Sequence, residues 1–236
     1  MLKHINMSDK GKCNSRVLDL LTHKASIKQE IFRKGKEYFS NLKKVGEQIV
    51  ADLDCEVCEV DDAVKITYKE EGTFEFELQF GGDILLFNMH TNVFTFDKGH
   101  NIHRTGYVRE DGDRAYFCMI NIYNFLADSL KYNRRDDEGI LLGRIFINRE
   151  GHFFVEGPKQ IGFLFNHLET QVADDETLRK IVDAVMIYSL EYDLTVPDYR
   201  SVMQVSVRQV QAMSDELQLK TAKKVELGYY SRMQKD

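Results

Sequence analysis

The stretch TFEFELQFGGDILLFNM, residues 73–89, decides the fold. From Phe74 to Phe80, apolar residues alternate with glutamate and glutamine, which predicts a strand with one apolar and one polar face. The pair Gly81-Gly82 predicts a two-residue hairpin turn. The nearly continuous apolar run from Ile84 to Met89 predicts a second strand that is covered on both faces. Strands joined by so tight a turn pair antiparallel, so we predict an antiparallel sheet.

Further strands are predicted on both sides of this hairpin. Alternation in 64–68 indicates a strand before it, and 93–96 and 116–120 continue the meander after it. Residues 140–147 and 153–155 form a last hairpin around Arg149-Glu150-Gly151. Between these strands, helical spacing predicts a short helix over 121–132 whose apolar face comprises Ile122, Phe125, Leu126 and Leu130.

Helices are predicted at both ends of the chain. A short helix begins at Ser15, and a longer one runs from Ser26 to about Leu53. After the sheet, a helix is capped by Asp174 or Asp175, and a final helix begins near Asp198. The inner face of the long helix follows steps of three, four and seven residues, namely Ile27, Ile31, Tyr38, Leu42, Val45 and Ile49.

This order of elements predicts an α+β fold. We expect an antiparallel meander sheet of about five to seven strands, with a long N-terminal helix and C-terminal helices packed on one face. Residues 1–14 are predicted to be a disordered tail, 15–219 a single α+β domain, and 220–236 a basic C-terminal tail. The element order resembles that of small secretion-chaperone-like folds, a resemblance that implies a dimer holding an extended client.

Composition excludes several classes of protein. The chain has 236 residues, 43% of them apolar and 30% charged, with two prolines, which is typical of a globular domain and unlike collagen or a disordered chain. No apolar run approaches the roughly 20 residues of a membrane-spanning helix, and no secretory signal precedes the domain. The four cysteines are therefore expected as reduced thiols in the cytoplasm.

Charge is distributed unevenly along the chain. Residues 1–44 carry a net charge of +7, residues 45–199 carry −16 and residues 200–236 carry +3. The basic ends could contact an acidic partner, but the simpler interpretation is that the basic first helix lies beside the chain's own acidic body. Nucleic acid is not an expected partner, because the total charge is −6 and no nucleic-acid-binding motif is present.

Three histidines are candidate metal ligands. His90, His100 and His103 lie close together in the sequence, with Asp97 between them. Imidazole and carboxylate groups suit zinc or iron, and a strand end with its following loop could bring three ligands together. Their spacing matches no known zinc motif, so an ordinary polar loop is the favoured interpretation and no cofactor is predicted.

Other motifs favour structural roles. Cys55 and Cys58 form a CxxC, but no second pair accompanies it and acidic neighbours surround it, so we expect small core residues rather than a redox or zinc site. Counted from Asp52, the acidic run lacks the glycine and the glutamate of a calcium loop. Glu75 and Glu77 are expected on the polar face of their strand. No nucleophile elbow, Walker loop or dinucleotide motif is present.

These absences favour a protein that is not an enzyme. We expect a non-catalytic, adaptor-like or chaperone-like interaction domain that binds a protein or peptide segment through a sheet face, a strand edge or the long helix. A homodimer formed through the long helix is expected, and no membrane contact. The alternative is a small-ligand-binding protein or a metal-assisted enzyme, with a pocket between sheet and helices lined by some of the many aromatic residues.

Overall fold

The computed structural model describes residues 15–132, 134, 137–196, 198–204 and 206–208. It contains one six-stranded sheet and a set of helices. In chain order these are α1 (Ser15–Leu20), a π-helical turn (Leu21–Ala25), α2 (Ser26–Val60), β1 (Ile66–Glu70), β2 (Glu75–Phe80), β3 (Asp83–Met89), a 3-10 turn (Asn101–Arg104), α3 (Gly106–Glu110), a second 3-10 turn (Gly112–Ala115), β4 (Cys118–Leu126), α4 (Ala127–Lys131), β5 (Ile140–Ile147), β6 (Phe153–Glu156), α5 (Lys159–Gly162), α6 (Asp175–Leu190) and α7 (Tyr199–Val202).

The sheet is an antiparallel meander in which each strand pairs with its neighbours in the sequence. The strand order is β1-β2-β3-β4-β5-β6, which confirms the predicted α+β class and the antiparallel sheet. The glycine pair forms the turn between β2 and β3, and Gly81 adopts a φ of 59°, a conformation that glycine tolerates best. Phe76 and Phe87 pair across these two strands and their rings stack at 4.5 Å.

The N-terminal helices form one continuous helical run from residue 15 to residue 60, longer than predicted. The predicted helix starts at Ser15 and Ser26 are confirmed, with α1 continuing through the π turn into α2, whereas the predicted end near Leu53 is wrong because α2 ends at Val60. The predicted inner face is confirmed, since Ile31, Leu42, Val45 and Ile49 are buried. Apolar spacing does not show the helix end here because residues after Leu53 are mostly acidic.

Glycines bring α2 close to the sheet. A Cβ atom at Gly35 would lie 2.8 Å from the Cβ of Cys118 and 2.9 Å from the Cε of Met89, both on the sheet face that α2 covers. One at Gly46 would lie 3.1 Å from the ring of Phe76. Glycine is therefore required at Gly35 by a close backbone approach rather than by a turn.

α6 packs beside α2 on the same face of the sheet. Its inner residues, including Leu178, Ile181, Val182 and Val185, are fully buried. The side chain of Asp174 accepts a hydrogen bond of 2.8 Å from the backbone N–H of Thr177, which confirms the predicted helix start. Arg179 extends from α6 to Asp52 of α2, with 2.7 Å between its Nη2 and the carboxylate.

A second, smaller core lies on the other face of the sheet. It consists largely of aromatic rings, and Phe146 and Phe154 stack at 5.0 Å between β5 and β6. The connection between β3 and β4, with its two 3-10 turns and α3, covers this cluster through Ile102, Val108 and Ala115. Many of the aromatic residues are therefore core residues on one of the two faces.

Three local predictions are wrong. Residues 118–126 form strand β4, so the predicted helix over 121–132 is reduced to Ala127–Lys131. The apolar residues of this segment recur at steps of three and four, as in a helix. They do so because β4 is covered on both faces for part of its length and therefore lacks the alternation of a half-buried strand. Residues 93–96 contribute only an isolated bridge, Phe94 to Phe117, rather than a strand. Cys55 and Cys58 are exposed on the last turns of α2 and are not core residues.

The predicted tails, 1–14 and 220–236, lie outside the described residues, as does most of the predicted final helix after Asp198. No helix in the described part of the chain is long and apolar enough to cross a membrane.

Replacing Gly35 with alanine tests the close approach of α2 to the sheet. The new methyl group would overlap Cys118, whose Cβ atom cannot move without its strand. We expect Gly35→Ala to lower the free energy of unfolding by about 1–3 kcal/mol, although alanine is the better helix former. Urea unfolding measures this. Ser40→Ala, on the exposed face of the same helix, should change stability by less than about 0.5 kcal/mol.

Asp174 provides a test of the α6 cap. Hydrogen bonds from Thr177 hold the pKa of this carboxyl below its usual value. Its stabilising effect is therefore fully present above the unfolded-state pKa of about 3.9 and is lost as pH falls through the lower folded-state value. We expect Asp174→Ala to cost about 1 kcal/mol at pH 7 and less at lower pH. Asp174→Asn, which keeps the cap, should cost much less in the same urea titrations.

Candidate functional site

A concave surface runs between α2 and the edge strand β1. We call it the α2–β1 groove. One stripe of α2 lines it, at positions spaced by three and four residues, and Tyr68 of β1 closes it from below. Its volume is about 740 Å³. Its lining residues are Glu47, Val50, Ala51, Asp54, Cys55, Cys58, Glu59 and Tyr68.

The groove is lined by apolar and acidic side chains. Val50, Ala51 and the Tyr68 ring are its apolar lining, and the carboxylates of Glu47, Asp54 and Glu59 stand on the same stripe of α2 as Val50 and Ala51. Residues 45–62 include seven acidic and no basic side chains. The pKa of Tyr68 is raised to about 12, first by burial and then by the negative charges of Glu70 and Glu47. Burial, the larger cause, disfavours charge of either sign at this position, and the carboxylates of Glu70 and Glu47 add to the cost of a negative charge on Tyr68.

The groove continues toward the N-terminus of α2 with the opposite charge. A smaller cavity of about 350 Å³ shares Glu47 and Tyr68 with it and contains three lysines, Lys36, Lys43 and Lys44. Lys43 donates hydrogen bonds to Glu70, at 2.5 Å, and to the carbonyl of Gly72, at 2.6 Å. α2 thus has a basic first part and an acidic second part along one face.

This charge order opposes the helix dipole. Negative side chains stabilise a helix near its N-terminus and positive ones near its C-terminus, by about 0.3–1 kcal/mol each. Here Glu56 and Glu59 lie in the last two turns, where no basic residue is found, and the first turn of α1 has no acidic residue. The acidic end of α2 is therefore not explained by the stability of the helix itself.

The thiols at the groove are accessible and the thiol beneath the helix is not. Cys55 and Cys58 are exposed, whereas Cys118 is buried against Gly35, and burial raises its pKa to about 12. The two exposed cysteines can therefore report on whether the groove is covered.

The histidines predicted as metal ligands lie in the connection between β3 and β4. Nδ1 of His90 accepts a hydrogen bond from the N–H of Asn92 at 3.0 Å, and Nδ1 of His100 accepts one from the N–H of Ile102 at 3.3 Å. Nε2 of His103 lies 3.0 Å from the carbonyl oxygen of Phe96. The described residues contain no group of three or more histidine, cysteine or acidic side chains arranged to hold a metal ion. A metal at His90, His100 and His103 stays a prediction.

A separate cavity of about 320 Å³ lies beside one of these histidines. His100 and Thr105 from the β3–β4 connection face His167 and Glu169 across it, and Phe154 of the second core lines it. The ring of His100 also stacks on Phe96 at 4.4 Å. This volume falls at the lower end of the range for small-molecule sites.

A polar network holds the β3–β4 connection to the turn between β5 and β6. The hydroxyl of Tyr107 donates to Glu150 at 2.8 Å and accepts from Asn148 at 2.9 Å, and Arg114 donates to Glu150 at 3.1 Å. Burial alone would raise the pKa of Glu150, but the hydrogen bonds from Tyr107 and Arg114 hold it below its usual value. Each of these groups has partners, which is typical of a structural network.

Glu75 and Glu77 lie on the polar face of β2, as predicted. Glu75 accepts a hydrogen bond of 2.9 Å from Asn88 on the neighbouring strand. Burial raises the pKa of Glu77, Lys69 lowers it, and Glu71 and Glu75 raise it further. Nothing in this arrangement resembles a pair of carboxylates across a cleft.

Sequence reasoning missed the groove because it ended the long helix too early. With α2 extended to Val60, Glu47, Ala51, Asp54 and Cys58 fall on one helical face at steps of four and three. The reversed order of charge along the helix was present in the sequence and could have indicated a binding surface. Tyr68 could not be assigned to the site without the position of β1 beneath α2.

Comparisons with protein-family models, with curated proteins and with solved structures found no match to this chain. Any assignment of function therefore rests on the chain's own residues and geometry.

Thiol labelling tests the exposure of the groove. We expect two thiols of a Cys13→Ser variant, at a protein concentration low enough to keep the chain monomeric, to react with a chromogenic disulfide reagent at pH 8 within minutes, and the third only after denaturation. The fast pair is Cys55 and Cys58, and the slow thiol is Cys118. Mass spectrometry of the labelled peptides identifies the sites. Rapid reaction of Cys118 would contradict the burial of this residue between α2 and β4.

Proposed function

We propose that the protein is a non-catalytic interaction domain that binds an amphipathic, positively charged helical segment of a protein in the α2–β1 groove. The observation that carries the proposal is the groove itself, in which apolar and acidic side chains share one stripe of a helix whose charge order the helix dipole does not favour. A segment with apolar residues on one face and lysine or arginine beside them would satisfy both features.

The dimensions of the groove suit a helix of about three turns. From Glu47 to Glu59 the helix α2 rises by about 18 Å, at 1.5 Å per residue. A bound helix of this length presents two or three apolar side chains to Val50, Ala51 and Tyr68, while its flanks reach the carboxylates of Asp54 and Glu59. Holding such a segment is an adaptor-like or chaperone-like role.

The setting that we infer for this role is the cytoplasm, with no nucleic acid partner. Two exposed thiols, Cys55 and Cys58, suit a reducing compartment. The acidic stretch over 45–62 would repel phosphate groups rather than attract them.

A small-ligand-binding protein is the second candidate, favoured by the cavity between His100 and His167. Its shape and its mixture of imidazole, hydroxyl and aromatic groups are typical of sites for small polar molecules. The metal-assisted version of this candidate would use the predicted ligands His90, His100 and His103. Native mass spectrometry of protein purified without chelators would reveal a retained ligand or metal as added mass.

A pair of synthetic helices tests the proposed groove. One peptide carries leucines on one face and lysines on the other, and its counterpart carries glutamates in place of the lysines. We expect the lysine peptide to bind roughly tenfold more tightly or better, a difference of about 1.4 kcal/mol. It should also slow labelling of Cys55 and Cys58. Fluorescence anisotropy of the labelled peptides, at nanomolar concentration, gives the two affinities.

Charge reversal assigns the binding to the groove. Asp54→Lys with Glu59→Lys should weaken binding of the lysine peptide at least tenfold. Glu191→Lys with Asp193→Lys makes the same change in net charge at exposed positions after α6 and should leave the affinity within about twofold, after screening by salt. Equal affinity for the two peptides, or equal effects of the two double variants, would refute binding in the groove.

A further inference from the structure

An exposed row of apolar side chains lies on the N-terminal arm, which we define as residues 15–25. Val17, Leu18, Leu20 and Leu21 are 47%, 51%, 48% and 60% exposed. None of the buried core residues comes from this arm. The arm continues directly into α2, and an apolar row that the described residues leave about half exposed is typical of a segment that packs against a partner.

The arm has the properties that the α2–β1 groove would bind. It is helical and apolar on part of its surface, and it includes two basic side chains, Arg16 and Lys24, and one acidic one, Asp19. The groove combines apolar lining residues with the carboxylates of Glu47, Asp54 and Glu59. Within one chain, however, the arm cannot reach the groove, because both belong to one continuous helical run. From Leu21 to Cys58 the helix rises by about 55 Å.

We propose that the arm of one copy of this chain occupies the α2–β1 groove of a second copy, so that two chains form a symmetric dimer with antiparallel α2 helices. This inference rests on the proposed function and names the partner of the same site. A two-fold axis repeats the contact, with each arm in the groove of the other chain.

Charge complementarity along α2 supports the antiparallel arrangement. Residues 24–44 include seven basic and two acidic side chains, and residues 45–62 include seven acidic and no basic ones. With the arm opposite the groove, antiparallel pairing places residues 24–34, with four basic and one acidic side chain, beside residues 45–55 of the other copy, with three acidic and no basic ones. Parallel pairing would place like charges together over the same length, which costs energy at each contact. The helix dipoles also oppose one another favourably in the antiparallel pair.

The reciprocal contact supplies part of the surface that a stable dimer needs. The groove contributes eight residues on each copy, and the arm contributes the exposed face that carries Val17, Leu18, Leu20 and Leu21. A standard interface uses about 20–30 residues on each side. Contacts between the two antiparallel α2 helices supply the remainder.

Disulfide trapping tests the contact directly. In a Cys13→Ser, Cys55→Ser background, Leu21→Cys provides one thiol on the arm and Cys58 provides the other in the groove. We expect mild oxidation to give a covalent dimer of twice the 27.5 kDa chain mass, with peptide mapping showing the 21–58 link. Because these positions lie about 55 Å apart in one chain, this link is necessarily between two chains.

The matched control places the new thiol elsewhere. Leu190 at the end of α6 is 59% exposed, nearly the same as Leu21. Leu190→Cys in the same background should give at least tenfold less covalent dimer at equal protein concentration. If the Leu21→Cys protein forms no more dimer than this control, or forms it through 21–21 or 58–58 links alone, the proposed contact is overturned.

Measuring the self-association of the full chain tests this inference separately from the proposed function. We expect a dimer by analytical ultracentrifugation, and we expect Leu18→Glu with Leu21→Glu to raise its dissociation constant at least tenfold. Leu190→Glu should leave it unchanged, and circular dichroism should show that all variants are folded. A wild-type monomer at all micromolar concentrations, or an unchanged dimer in the arm variant, overturns the inference.

Binding of the lysine peptide to the arm variant shows which of the two proposals has failed. If it binds the Leu18→Glu, Leu21→Glu variant, the groove and the proposed function stand whether or not the arm occupies the groove. If self-association depends on the arm but the peptide does not bind, the groove is not the receptor site and both proposals are overturned. Leu18 and Leu21 are outside the groove, so this variant does not alter the peptide's own site.

Discussion

The close contact between α2 and the sheet is the constraint on which the structure depends. Gly35 allows the helix to meet Cys118 and Met89 directly, and Gly46 does the same above Phe76. The sheet presents an apolar face that would otherwise lie in water, and α2 with α6 covers it. The close approach at these two glycines sets the distance between α2 and β1. α2 crosses from Cys118 and Met89 at Gly35 to Phe76 at Gly46, and the α2–β1 groove lies where its following turns reach the edge strand.

The fold was largely predictable where the hydrophobic pattern of a segment agrees with its position in the folded protein. Residues 73–89 alternate in hydrophobicity and include a glycine turn, and both strands and their pairing are found as expected. The prediction failed in β4, where Ile122, Phe125 and Leu126 have helical spacing but lie on a strand within the sheet. Burial on two faces removes the alternation that identifies a strand. The position of neighbouring strands, which a local pattern does not contain, decided this segment.

The candidate site was less predictable than the fold because its two sides come from different elements. The acidic residues after Leu53 suggested a solvated connection, yet they continue the helix for two further turns. Helix propensity alone did not distinguish a solvated connection from a continued helix, since aspartate is a weak helix former and glutamate a good one. Tyr68 joins the site through the pairing of β1 with β2. A single tyrosine in a strand has no sequence feature that would assign it to a groove.

The meander also determines which contacts are entropically expensive to form. The turn at Gly81-Gly82 closes over two residues, whereas the contact between Gly35 and Cys118 joins positions 83 residues apart. Loop-closure entropy makes the longer closure costlier by roughly 2–3 kcal/mol. Three of the five strand pairs, β1–β2, β2–β3 and β5–β6, close over short turns, whereas the pairing of β3 with β4 closes over residues 90–117 and the docking of the long helix over a still longer separation. In kinetic terms, the central hairpin is the natural nucleus, and α2 joins a sheet that is already partly formed.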